Sequence, residues 1–160
     1  RNSKQFVVFI DEAQAMPVET LGALYLLSSI DTLHPYFQVV LFGQPELDLV
    51  LYKPSLRSLK QDIGFTYTLP PLDMDSVNAY INHRLAKAGY NGHGLFSEDA
   101  INAIYKASGG IPRLVNILCH KALMVAFGKG EHSVSLNFVE AAIRDTEQAE
   151  PDKTHLTEYW

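Results

Sequence analysis

Five consecutive apolar residues, Phe6-Val7-Val8-Phe9-Ile10, stop abruptly at two carboxylates, Asp11 and Glu12. A run with no polar interruption suits a strand buried on both faces, as in a parallel α/β sheet; a strand with one wet face would alternate. Gln38-Val39-Val40-Leu41-Phe42 repeats the pattern after its first residue. Between the two, Val18–Ile30 carries Leu21, Leu24 and Leu27, with Leu26 and Ile30, at helical spacing, and Pro17 stands where a first turn tolerates it. Strand, helix and strand in that order predict a parallel crossover. Two shorter helices, about Glu46–Leu51 and Leu56–Gln61, lead to Phe65-Thr66-Tyr67-Thr68-Leu69, whose alternation predicts a half-buried third strand at a sheet edge.

The period changes at Leu69-Pro70-Pro71-Leu72, and from there it is helical. Asp75–Ala88 sets Val77, Tyr80, Ile81 and Leu85 on one face and stops at Gly89. Ser97, with Glu98 and Asp99 behind it, caps a helix over Ala100–Ala107 that ends at Gly109-Gly110. Pro112 opens the longest apolar helix, Arg113–Phe127, and Ser135 caps Leu136–Thr146. Four such helices predict a small bundle packed behind the sheet. The expected organisation is therefore an α/β portion over residues 1–71, an all-α portion over 72–146 and a loose polar tail over 147–160.

Composition narrows the function classes. Hydrophobic residues make up 47% and charged residues 19%, an ordinary soluble globular balance. Thirteen Lys and Arg against 18 Asp and Glu, for a net charge of -5, count against an extended basic nucleic-acid surface. Cys119 is the single cysteine, so no intrachain disulfide can form and a reducing, cytoplasmic compartment is the easier reading. No apolar run reaches the roughly 18–20 residues that span a bilayer. The polar opening Arg1-Asn2-Ser3-Lys4 lacks an initiator Met and a signal-peptide pattern, so the natural protein is expected to continue upstream.

Three places carry chemistry. At the C-terminal end of a parallel strand, side chains project into the crevice where α/β proteins bind ligands. Asp11 there would hold Mg²⁺ through water, and Glu12 would orient or deprotonate an attacking water; the run alone is equally compatible with a plain strand-to-loop transition. The second strand ends in Gly43-Gln44-Pro45-Glu46-Leu47, where the Gln44 amide could reach a γ-phosphate and its lytic water, or simply turn the chain into a helix. In Gly109-Gly110-Ile111-Pro112-Arg113, Arg113 sits in a helix's first turn, where the macrodipole disfavours a cation. An external anion would account for it, and so would plain solvent exposure. The Cys119-His120 pair has no further ligands near it to complete a zinc site.

Phe9-Ile10-Asp11-Glu12-Ala13-Gln14, Gly43-Gln44-Pro45-Glu46-Leu47, Leu69-Pro70-Pro71-Leu72 and Gly109-Gly110-Ile111-Pro112-Arg113-Leu114-Val115-Asn116, in this order and spacing, resemble the AAA+ ATPases. The nearest resemblance is to the ExeA/MshM type, of type II secretion and mannose-sensitive haemagglutinin (MSHA) pilus biogenesis, and it covers about Gln5 to Asp145. It implies a RecA-like αβα core followed by a helical lid, ATP and Mg²⁺ as ligands, a ring of subunits, and inner-membrane secretion or pilus-assembly proteins as partners. It also implies roles: Asp11 and Glu12 as Walker B, Gln44 as sensor 1, Arg113 as sensor 2.

An arginine finger that enters a neighbouring subunit's site falls by the same resemblance near Arg57, the only Arg in Ser55–Ile63. Asp62 stands where the family pattern has Arg, which leaves Arg57 or Lys60 for the role, or an ordinary exposed helix position. The family's phosphate loop, G-x-x-x-x-G-K-[ST], occurs nowhere in the 160 residues. This chain by itself is therefore expected to be inactive. Without the strand that precedes that loop, the second and third strands are expected to pair directly or to take in another chain. Two other classes share these motifs: a DNA-associated AAA+ helper of the transposition or initiator kind, and a scaffold that does not hydrolyse ATP.

Overall fold

The computed structural model describes residues 6–28, 37–92 and 94–146. The chain divides into two compact units, Arg1–Thr68 and Leu69–Trp160.

In the first unit, β1 (Phe6–Ile10) pairs in parallel with β2 (Phe37–Leu41), Phe6 opposite Phe37 and Ile10 opposite Leu41. The helix α1 (Val18–Ser28) lies between them in sequence; the expected end at Ile30 falls outside the described residues. After β2 come α2 (Glu46–Leu51), a 3₁₀ turn over Pro54–Leu56 and α3 (Arg57–Asp62). Leu21 of α1, Leu51 and Leu56 form the buried centre, with Leu41, Leu47, Leu59 and Ile63 packed on it. Tyr25 of α1 donates its hydroxyl to Asp62 Oδ2 at 2.9 Å, which gives the carboxylate that departs from the family pattern a definite partner.

Two expectations fail here for one physical reason. The apolar strands are not buried on both faces: Phe6 is 63% and Phe9 68% exposed. Among the described residues the sheet has only two strands, so neither the outer edges nor the open face is covered. Nor is Phe65–Leu69 a third strand; among the described residues it joins no sheet, and Phe65 and Leu69 are 82% and 81% exposed. Its alternation is real, but a strand exists only through pairing, and the direct pairing of the second and third segments is absent.

The second unit holds α4 (Met74–Lys87), α5 (Glu98–Ser108), α6 (Pro112–Gly128) and α7 (Leu136–Arg144). Val77, Ile81, Ile104, Val115, Leu118, Ala122, Val134 and Val139 build its core. Along α6, the buried residues Val115, Leu118, Ala122 and Ala126 recur three and four apart, the spacing of one helix face. A single parallel bridge between Phe96 and Val134 ties the segments that lead into α5 and α7. Asp73 caps α4 by accepting from Ser76 N at 2.8 Å, and the hydrogen bonds from Ser76 hold its carboxyl below the usual range. Ser97 caps α5 by accepting from Ala100 N at 3.2 Å. Ser135 does occupy the cap position of α7, but its hydroxyl donates to Asn137 Oδ1 at 3.1 Å instead of accepting from the backbone.

Cys119 on α6 is half-buried among apolar neighbours, and desolvation pushes its thiol up to about 12. Iodoacetamide at pH 8 should therefore alkylate it about tenfold or more slowly in the native chain than in the urea-unfolded chain. Equal rates, followed by mass spectrometry, would contradict that environment. No described helix is long and apolar enough to cross a membrane.

Candidate functional site

The parallel ladder continues one step past β2, with Phe42 N donating to Ile10 O at 2.7 Å. A regular ladder would next bring the N–H of residue 12 to Phe42 O. Instead Ala13 N makes that bond, at 2.8 Å. One residue is extra, a bulge at the tip of β1. Glu12 absorbs it with φ 53 and ψ 40, the sole positive φ at a non-glycine residue among those described. The left-handed backbone costs about 1–2 kcal/mol. The displaced Glu12 N–H goes to Asp11 Oδ1 at 2.9 Å. Ala13, fully buried, anchors the chain just beyond. The bulge thus holds two adjacent carboxylates outward at the strand end, where both are exposed.

The tips of the two strands are joined by one side chain. Gln14 Nε2 donates to Glu12 Oε2 at 2.5 Å, and Gln14 Oε1 accepts from Gln44 N at 3.2 Å. The Gln44 amide Nε2 lies 3.4 Å from the same Glu12 Oε2. Gly43 permits this approach: a Cβ there would stand 2.8 Å from Gln14 Oε1 and 2.9 Å from Leu47 Cδ2.

Of the residues singled out from sequence, Asp11, Glu12 and Gln44 therefore come together. Arg57 does not join them; it is exposed at the start of α3 and forms no ion pair among the described residues. Its alternative, Lys60, is engaged, with Nζ 2.8 Å from the centre of the Tyr52 ring. Arg113 is exposed in the first turn of α6, in the second unit. Its loop is fixed there by Gly110, whose carbonyl accepts from Leu72 N at 3.0 Å, so the proline-rich segment and the glycine pair meet. Gln14 and Gly43 are the residues that sequence reasoning passed over. The one signal was an amide side chain two residues after the carboxylates, and a strand-end glycine opposite.

Among the described residues no group of three or more His, Cys, Asp or Glu forms a metal cage. Mg²⁺ does not require one, since it commonly takes one or two carboxylates and completes its shell with water and substrate phosphate. The exposed oxygens of Asp11 and Glu12 are hard donors of that kind.

Comparison with solved structures defines the class. The Thermotoga maritima RuvB Holliday junction branch migration motor superposes with a TM-score of 0.65 at 18% identity, over 92% of this chain and 47% of that one. The Aeropyrum pernix ORC2 protein, solved with ADPNP and ADP, gives 0.64 at 18% identity, over 94% and 41%. The fold is a partial RecA-like αβα core followed by helices. In sequence, 132 residues are 42% identical to general secretion pathway protein A of Aeromonas hydrophila, covering 82% of this chain and 24% of that protein. Fold and sequence together make the chain a member of the AAA+ ATPases, of the ExeA type. A further relative, an uncharacterized HTH-type transcriptional regulator of Methanocaldococcus jannaschii, is 27% identical over 150 residues, 88% of this chain and 35% of that one. The chain thus spans about a quarter to a third of these curated relatives. No protein-family model matches it.

Proposed function

We propose that this chain supplies the water-activating side of an ATP-hydrolysing site. The observation that carries the reading is the gathering of the Glu12 carboxylate, the Gln44 amide and the Asp11 carboxylate at the tips of two parallel strands. Glu12 takes a proton from water as the water oxygen bonds to the γ-phosphorus. The bond from that phosphorus to the β-γ bridging oxygen breaks, and ADP leaves with its electron pair. Gln44 orients the water, and Asp11 would hold, through water, the Mg²⁺ that accompanies ATP, an ion that would neutralise phosphate charge. By the family resemblance Arg113 takes the sensor 2 role and Arg57 that of the arginine finger in a ring of subunits.

The phosphate-cradling side, a glycine-rich loop with its Lys, belongs to a part of the protein outside these 160 residues. The work driven is assembly of a secretion or MSHA-like pilus complex, at the cytoplasmic face of a bacterial inner membrane. Support for that setting is the 42% identity to general secretion pathway protein A.

The test has two arms. Calorimetric titration of Mg-ATP into the 160-residue chain should give no saturable binding tighter than about 1 mM, equivalent to about 4 kcal/mol. Placed in general secretion pathway protein A in exchange for the matching segment, the chain should support ATP hydrolysis. Micromolar binding by the chain alone would contradict the division of the site, and an exchange protein that binds ATP without hydrolysing it would contradict the assignment. The similarity to the HTH-type regulator favours a second reading, a DNA-associated helper. The net charge of -5 weighs against it, and salt-dependent DNA binding by the exchange protein would reverse the order.

A further inference from the structure

We infer that Gln14 is the positioning residue of this site, a clamp that locks the two strand tips together and selects which oxygen of Glu12 acts as the base. The inference rests on the function proposed above for Glu12. Three observations converge on it. Gln14 uses both ends of its amide, donating to Glu12 Oε2 and accepting from the Gln44 backbone N–H. Gly43 has no side chain where the Gln14 amide lies, so the second strand is shaped around it. Glu12 itself sits on a left-handed, bulged backbone, a strained conformation that persists only where surrounding contacts hold it.

The clamp has a chemical consequence. Both amides, Gln14 Nε2 and Gln44 Nε2, fall on Oε2, and Oε1 has no hydrogen bond among the described residues. Oε1 is then the oxygen that receives the proton of the attacking water. Gln14 does this without touching substrate. Partners of this kind, which orient a reacting group from behind, commonly account for about 10- to 100-fold in activity.

In the 160-residue chain, Gln14→Met keeps the length of the side chain and removes both hydrogen bonds. Hydrogen exchange at the Gln44 N–H should quicken by about tenfold, roughly 1.4 kcal/mol, and the Glu12 side-chain carboxyl ¹³C resonance should move. Gln14→Glu sets a second carboxylate against that of Glu12, and the like-charge repulsion should also quicken exchange at Gln44 N–H and move the Glu12 resonance. In the exchange protein, Gln14→Met should lower kcat about tenfold with KM for ATP unchanged, and should have no further effect in a Glu12→Gln background.

An unchanged Gln44 exchange rate and an unmoved Glu12 resonance in Gln14→Met would overturn the clamp, whatever the activity assays give. If Glu12→Gln abolishes turnover and Gln14→Met leaves kcat intact, the positioning role falls while the proposed function stands. If Glu12→Gln itself leaves turnover intact, the proposed function falls, and the catalytic role of the clamp falls with it.

Discussion

Gly110→Ala should destabilise the helical unit by about 2–5 kcal/mol, the sum of a left-handed backbone penalty of about 1–2 and an overpacking penalty of about 1–3. Gly110 has φ 75, and a Cβ on it would lie 2.0 Å from the carbonyl oxygen of Leu72. That neighbour is backbone, so no rotamer change relieves the overlap. Moving Leu72 away would break the bond from its N–H to Gly110 O, and with it the anchorage of the proline-rich segment beside the start of α6. For a unit of this size the loss corresponds to a fall in Tm of about 8 °C or more. Gly89→Ala is the matched control: φ is 90 there and nothing lies within 4 Å of the added Cβ, so only the backbone penalty applies. Thermal unfolding followed by circular dichroism should rank the two variants far apart. Equal midpoints would mean that the approach of Leu72 to Gly110 does not constrain the fold.

How legible the protein is in its sequence depends on whether a feature is local. The segment Phe6–Ile10 declares itself a strand because five apolar residues in a row have few other uses, and Glu46–Leu51 and the helices of the second unit follow from spacing and punctuation. Asp73 and Ser97 work as caps because capping is settled within three or four residues. Phe65–Leu69 reads equally well as a strand, yet belongs to none, since pairing is decided by a partner elsewhere. Ser135 stands at its cap position but spends its hydroxyl on Asn137, a competition no spacing rule foresees.

The site divides in the same way. Asp11, Glu12 and Gln44 are visible as polar residues at the ends of apolar runs, and parallel strands bring such ends together. The bulge between Asp11 and Ala13 is invisible in sequence, because nothing about Glu12 advertises a positive φ; a glycine or asparagine there would have done so. Gln14 was legible only as part of a motif, since its function consists of two bonds to partners that lie on different segments, one of them thirty residues away. Asp62 looked like a departure that weakened the reading, and it turns out to hold Tyr25.

Glu12→Gln bears most directly on the central claim. The substitution is nearly isosteric, and the new amide can turn its oxygen toward Gln14 Nε2, so the bonded position at Oε2 keeps an acceptor and the fold keeps its stability to within about 0.5 kcal/mol. What it loses is basicity, because an amide cannot take a proton from water. Loss of a positioned general base lowers the rate by about 10²–10⁴-fold. Phosphate release should therefore be measured for the exchange protein and its Glu12→Gln variant side by side, with bound ATP quantified in both. The expected result is turnover reduced by at least about a hundredfold with ATP binding retained. Turnover equal to that of the parent would remove Glu12 from the chemistry and, with it, the reading of this strand tip as the water-activating side of an ATPase site.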